Sequence, residues 1–61
     1  MTFKKGNYEM KYTIGDEVRY IHTGQIGTIV GIVYYDGTDD VYLYHVLIDG
    51  FEYSVEPEEL S

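Results

Sequence analysis

Sixty-one residues at 7.1 kDa make a single small domain, and the absence of cysteine excludes both a disulfide framework and a thiolate zinc site. Eleven acids against four bases leave a net charge of −7, too acidic a balance for lysines and arginines to replace the counterions of a nucleic-acid backbone well. No apolar run reaches the length of a membrane span and no signal-peptide core follows Met1, which predicts a soluble, cytoplasmic protein.

The charge is unevenly placed. Residues 1–30 hold all four bases and three acids, for +1, whereas residues 31–61 hold eight acids and no base, for −8. One half of the chain is therefore an anion, and a partner with a basic surface is the expectation.

Apolar residues do not recur at helical spacing. β-Branched and aromatic residues alternate instead, with glycines between them, which predicts an all-β chain. Residues 1–7 read as a flexible N-terminal segment and 8–61 as one domain. Tyr8 to Tyr12 alternates as a short edge strand would. A strand over about Glu17 to Ile21 is entered through a tight turn at Ile14-Gly15-Asp16, and Thr23-Gly24-Gln25 turns the chain again. A long strand from about Ile26 to Tyr35 contains Gly27 and Gly31, where glycine marks a bulge or bend. Asp36-Gly37-Thr38-Asp39-Asp40 closes a polar hairpin onto a strand over Val41 to Ile48. Asp49-Gly50 is the strongest hairpin signal in the chain, and Phe51 to Val55 returns from it. Pro57 begins a helical turn, with Glu58 and Glu59 favoured there by the helix dipole.

About five short antiparallel strands cannot cover both faces of an open sheet, so closure into a small barrel is the expected architecture. On the strand over 41–48, Tyr44, Val46 and Ile48 are assigned inward because they run in phase into the Asp49-Gly50 turn. Val41, Leu43, His45 and Leu47 are then assigned outward, as an apolar contact patch.

The stretch Tyr12-Thr-Ile-Gly-Asp-Glu-Val-Arg-Tyr20, followed by Thr23-Gly24-Gln-Ile-Gly27-Thr-Ile-Val30, resembles the opening of an SH3-like barrel of the Tudor and KOW kind. Gly15, Asp16, Val18 and Tyr20 match its Gly-Asp-x-Val-x-hydrophobic strand, and Gly24, Gly27 and Ile29 match its Gly-x-x-Gly-x-hydrophobic strand. The stretch from Tyr42 to Gly50 and the ending Val55-Glu-Pro-Glu-Glu-Leu60 resemble the last strands and terminal turn of such barrels, so the likeness spans about residues 12–60. It implies a binding module whose function varies among relatives.

Little in the sequence points to catalysis. Ser54 and Ser61 are the only serines, neither lies in a glycine elbow, and no spacing forces His22 and His45 together. Asp36, Asp39 and Asp40 share a loop but lack the ligand order of a calcium-binding EF-hand, so neither metal nor cofactor is expected. Eight tyrosines are the most unusual feature of the composition. They supply rigid contact area, and in Tudor-like barrels a group of aromatics holds a cationic side chain.

The preferred expectation is a non-enzymatic protein-binding module. Its surface combines Val41, Leu43, His45, Leu47 and Tyr35 with an acidic rim of Asp36, Asp39, Asp40, Glu52 and Glu58. An acidic mimic of nucleic acid, of the kind phage-encoded inhibitors use against a nucleic-acid-binding protein, is the alternative, and a KOW-like RNA-binding module is a second. An unpaired strand edge would also allow a homodimer.

Overall fold

The fold was obtained as a computed structural model, which describes residues 12–61. The segment 1–7, and the part of the expected Tyr8–Tyr12 strand that precedes Tyr12, lie outside the described residues.

Strong β-formers, split by turn signals, give four strands among the described residues: β1 (Glu17–Arg19), β2 (Ile26–Tyr34), β3 (Val41–Ile48) and β4 (Phe51–Val55). They form one antiparallel meander in the order β1-β2-β3-β4. A single 3₁₀ turn at Pro57–Glu59 follows. The all-β fold class is as the sequence predicts, with four strands where about five were expected. The sheet does not close into a barrel. Instead the chain end crosses to β1, where Tyr20 bridges Leu60, and Arg19 and Ser61 exchange backbone hydrogen bonds of 3.1 and 2.9 Å.

Local chemistry sets the boundaries. β1 stops at Arg19 because the Tyr20 carbonyl accepts from the Gly24 N–H at 2.7 Å, bending the chain into the turn that leads to β2. Asp49 and Gly50 adopt φ of +52° and +83°, the positive pair that a two-residue type I′ hairpin requires. That turn sets the register of β3 on β4, with Ile48 opposite Phe51, Val46 opposite Tyr53 and Tyr44 opposite Val55. Pro57 opens the 3₁₀ turn, and the Glu56 N–H donates to the Glu59 carboxylate at 2.8 Å.

The core is Val18, Ile29, Tyr44, Val46, Ile48, Val55 and Leu60. The inward set expected on β3 is therefore the observed one, and full burial of residues such as Ile29 and Val46 stabilises the fold by ~1.5–3 kcal/mol each. Tyr12 packs edge-on against Tyr44 with ring centroids 5.4 Å apart, and its N–H donates to the Tyr44 hydroxyl at 3.1 Å. Burial, reinforced by Tyr44 and Asp16, raises the Tyr12 phenol above its ordinary pKa.

Two β-bulges re-aim side chains. The register passes from Ile29–Val46 to Gly31–His45, leaving Val30 as the extra residue on β2. It passes again from Val33–Leu43 to Tyr34–Val41, leaving Tyr42 as the extra residue on β3. The bulge therefore falls beside Gly31 as expected, whereas Gly27 serves close packing. A Cβ there would stand 2.6 Å from Val46 Cγ1 and 2.8 Å from the Leu47 carbonyl oxygen.

Candidate binding face

Alternation along β3, combined with its register on both neighbours, collects the outward side chains into rows across the sheet. Leu47 lies between Thr28 of β2 and Glu52 of β4, and His45 lies between Gly31 and Ser54. Leu43 lies beside Val33. Leu47 is exposed, while Leu43, Val33 and His45 are half-buried. Beyond them Tyr35 and Tyr42, both exposed, meet edge-on with centroids 5.1 Å apart. The exposed side chain of Val30 adds to the apolar area at the first bulge.

Val41 does not belong to this face. It packs against the core, while its neighbour Tyr42 is half exposed. The bulge at Tyr42 inserts one residue into the period-two pattern, so strict parity, which holds from Leu43 to Leu47, inverts at Val41.

His45 is held from three sides. Its ring occupies the space above Gly31, where a Cβ would lie 2.8 Å from His45 Cδ2. The Ser54 hydroxyl is 3.2 Å from Nδ1, and a Glu52 carboxylate oxygen is 3.5 Å from the same nitrogen. A serine, a histidine and a glutamate thus meet, but the hydroxyl and the carboxylate share one ring nitrogen. Acyl-transfer triads place them on opposite nitrogens, so that the ring passes a proton from one side while being oriented from the other. The arrangement found here fixes the orientation of the imidazole, and its chemistry is that of a polar contact inside an apolar face.

The acidic residues divide into two groups. Asp36, Asp39 and Asp40 are exposed in the hairpin loop next to Tyr35, whose N–H donates to the Asp40 carbonyl at 2.9 Å. Glu52 flanks Leu47 at the other end of the face. Glu58 sits on the 3₁₀ turn, which is bonded to the chain after β1 through the Ile21 N–H and the Glu59 carbonyl. Its hydrogen bond and charge raise the Glu56 carboxyl above its ordinary pKa. Glu58 is therefore engaged within the chain's own terminal turn. No group of three or more metal-ligating side chains occurs among the described residues, and no helix there is long and apolar enough to cross a membrane.

On the core side, a pocket of about 280 Å³ opens between β4 and the chain linking β1 to β2, lined by Tyr20, Thr23, Gln25 and Ile48 and by Tyr53, Ser54 and Val55 of β4. Composition alone could not reveal it, because it depends on where β1 ends.

Comparison of the chain with protein-family models, with curated proteins and with solved structures finds no match.

Proposed function

We propose that this chain is a non-enzymatic protein-binding module of the SH3-like kind, and that it engages a partner with a basic surface through the outward face of β2, β3 and β4. The observation that carries the reading is the outward row of half-buried Leu43 and His45 and exposed Leu47, continued by Tyr35 and Tyr42 and bordered by Asp36, Asp39, Asp40 and Glu52. Apolar and aromatic residues supply affinity once desolvated, while the acidic border steers a cationic partner and raises the rate of association. The SH3-like assignment draws on the sequence likeness over about residues 12–60, and the consecutive meander ending in a 3₁₀ turn is compatible with it. The −8 charge of residues 31–61 supports a basic partner over a nucleic acid.

The test is capture of host proteins on the immobilised chain, with circular dichroism establishing that each variant is folded. Leu47→Ser is a surface change expected to cost within about 0.5 kcal/mol of stability. It should abolish salt-resistant capture of a protein. Replacing Asp36, Asp39 and Asp40 together by Asn should slow association and weaken its salt dependence. Capture that survives Leu47→Ser but is lost in the Asn variant would replace this reading by the nucleic-acid mimic. Recovery of RNA instead would restore the KOW-like alternative.

A further inference from the structure

The two edges of the sheet are treated differently. The outer edge of β1 is covered by the chain's own end, through the Arg19–Ser61 and Ile21–Glu59 backbone bonds. β4 is last in the strand order and, among the described residues, no other strand or bridge lies along its second edge. The type I′ turn bonds the Phe51 N–H back to Ile48. Alternation then turns the backbone groups of Phe51, Tyr53 and Val55 toward β3, leaving those of Glu52 and Ser54 pointing away from the sheet. Among the described residues neither accepts nor donates a backbone bond there.

Among the described residues the core side of this edge is equally uncovered. Phe51 and Tyr53 stand opposite the buried Ile48 and Val46, yet they are 66% and 49% exposed. Tyr53 also walls the pocket shared with Tyr20 and Ile48. An unpaired edge, two aromatics on its core side and an adjoining pocket together match what an added strand requires: main-chain partners, flanking apolar surface and a recess for one of its side chains.

The charge around the edge selects the occupant. Asp49 and Glu56 flank β4 in the chain and Glu52 lies on it, and residues 31–61 contain no base. A second copy would bring another chain of net charge −7 to the same edge, a like-charge approach that electrostatics opposes. We propose that the free edge of β4 takes up an extended, lysine- or arginine-rich segment of another protein as an added antiparallel strand, with one apolar side chain of that segment entering the pocket beside Tyr53. This site uses the backbone edge and the core side of β4, so it does not depend on the outward face.

The probe is a synthetic seven-residue peptide of alternating lysine and valine, titrated into the full ¹⁵N-labelled chain at low salt. Binding should shift the Glu52 and Ser54 amides and slow their hydrogen exchange about tenfold or more. The same peptide, N-methylated on the amides that would face β4, keeps its charge and loses its donors, and it should bind about tenfold more weakly or worse. Ser54→Pro removes one edge donor and should weaken binding likewise; the methylated peptide gives the same information should that variant not fold. Equal binding of the methylated peptide would overturn the proposal, because the attraction would then be of charge alone. Shifts confined to Leu43 and Leu47, or no binding at millimolar peptide, would also overturn it. So would Glu52 and Ser54 amides already protected in the free chain, by a dimer seen in sedimentation or by residues 1–11.

Discussion

Gly27 and Gly31 lie on the same strand with opposite surroundings, and replacing each by Ala separates the core from the outward face. Neither has a positive φ, so alanine is conformationally acceptable at both and gains about 0.4–1 kcal/mol by restricting the unfolded chain. At Gly27 the new methyl would stand 2.6 Å from Val46 Cγ1, 2.7 Å from Ile48 Cγ1 and 2.8 Å from the Leu47 carbonyl oxygen. These separations are about 1 Å short of contact distance. Two of the atoms belong to buried side chains and the third is backbone, so relief requires β2 and β3 to move apart. Overpacking of this kind costs about 1–3 kcal/mol, and the backbone contact places Gly27→Ala toward the upper end, for a net loss of about 2 kcal/mol. In a domain this small that lowers Tm by about 8–16 °C. At Gly31 the nearest obstruction is the His45 ring, with Cδ2 at 2.8 Å and Cγ at 3.2 Å, and that half-exposed ring can rotate into solvent, which leaves only His45 Cβ at 3.1 Å to give by a few tenths of an ångström. Gly31→Ala should therefore stay within about 1 kcal/mol of the parent, while separating His45 from Ser54 and Glu52. Thermal and urea unfolding followed by circular dichroism give both numbers. A Gly27→Ala variant as stable as the parent, or less affected than Gly31→Ala, would refute the account of how β2 packs on β3.

Two neighbouring tyrosines should respond with opposite sign to loss of the hydroxyl. Tyr44→Phe removes the acceptor of the Tyr12 N–H and should cost about 0.5–1.5 kcal/mol in urea unfolding. Tyr12→Phe removes a buried hydroxyl that has no hydrogen-bond partner among the described residues, so stability at neutral pH should hold or rise. Because the folded chain raises the Tyr12 pKa, its neutral phenol contributes stability that is complete below the ordinary value of about 10 and is lost as pH climbs through the raised one. Tyr12→Phe should accordingly flatten the alkaline fall in Tm, and an unchanged fall would contradict the assignment. In the terminal turn, Glu58→Gln relieves the carboxylate that crowds Glu56 and should raise Tm at neutral pH, an effect that added salt imitates in the parent. Glu59→Gln should not, since that carboxylate accepts the Glu56 N–H and lies 3.4 Å from His22 Nε2. Equal responses from the two variants would remove the distinction between crowding and pairing.

Where a local signal decides the conformation, the fold can be read from the residues. Asp49-Gly50 fixes both the hairpin and its register, and counting back from that turn pairs residue 52 with 47 and 54 with 45. The meeting of His45 with Ser54 and Glu52 was therefore derivable, although no residue type announces it. The inward set Tyr44, Val46 and Ile48 follows from the same phase. What parity cannot supply is a bulge, because the extra residue is defined only against the partner strand. Gly31 hints at the first bulge, but nothing near Tyr42 hints at the second, and so Val41 was expected on the wrong side. Closure fails for a related reason. The length of β1 is set by the turn that accepts at Tyr20, which leaves a three-residue strand too short to curl the sheet around.

Glu52 joins the two surfaces. Its carboxylate lies beside Leu47 and His45 on the outward face, while its backbone belongs to the edge that is unpaired among the described residues. Pro57 directs the chain after β4 across the core toward β1, so the chain's end covers the edge of β1 and not that of β4. Natural sheets protect an open edge with charge, most often lysine, whereas this edge carries glutamate in a half-chain that has no base. The same charge that discourages pairing between copies of the chain lowers the energy of an approaching cationic strand. Protection from self-association and selection of a basic partner are then two consequences of one feature.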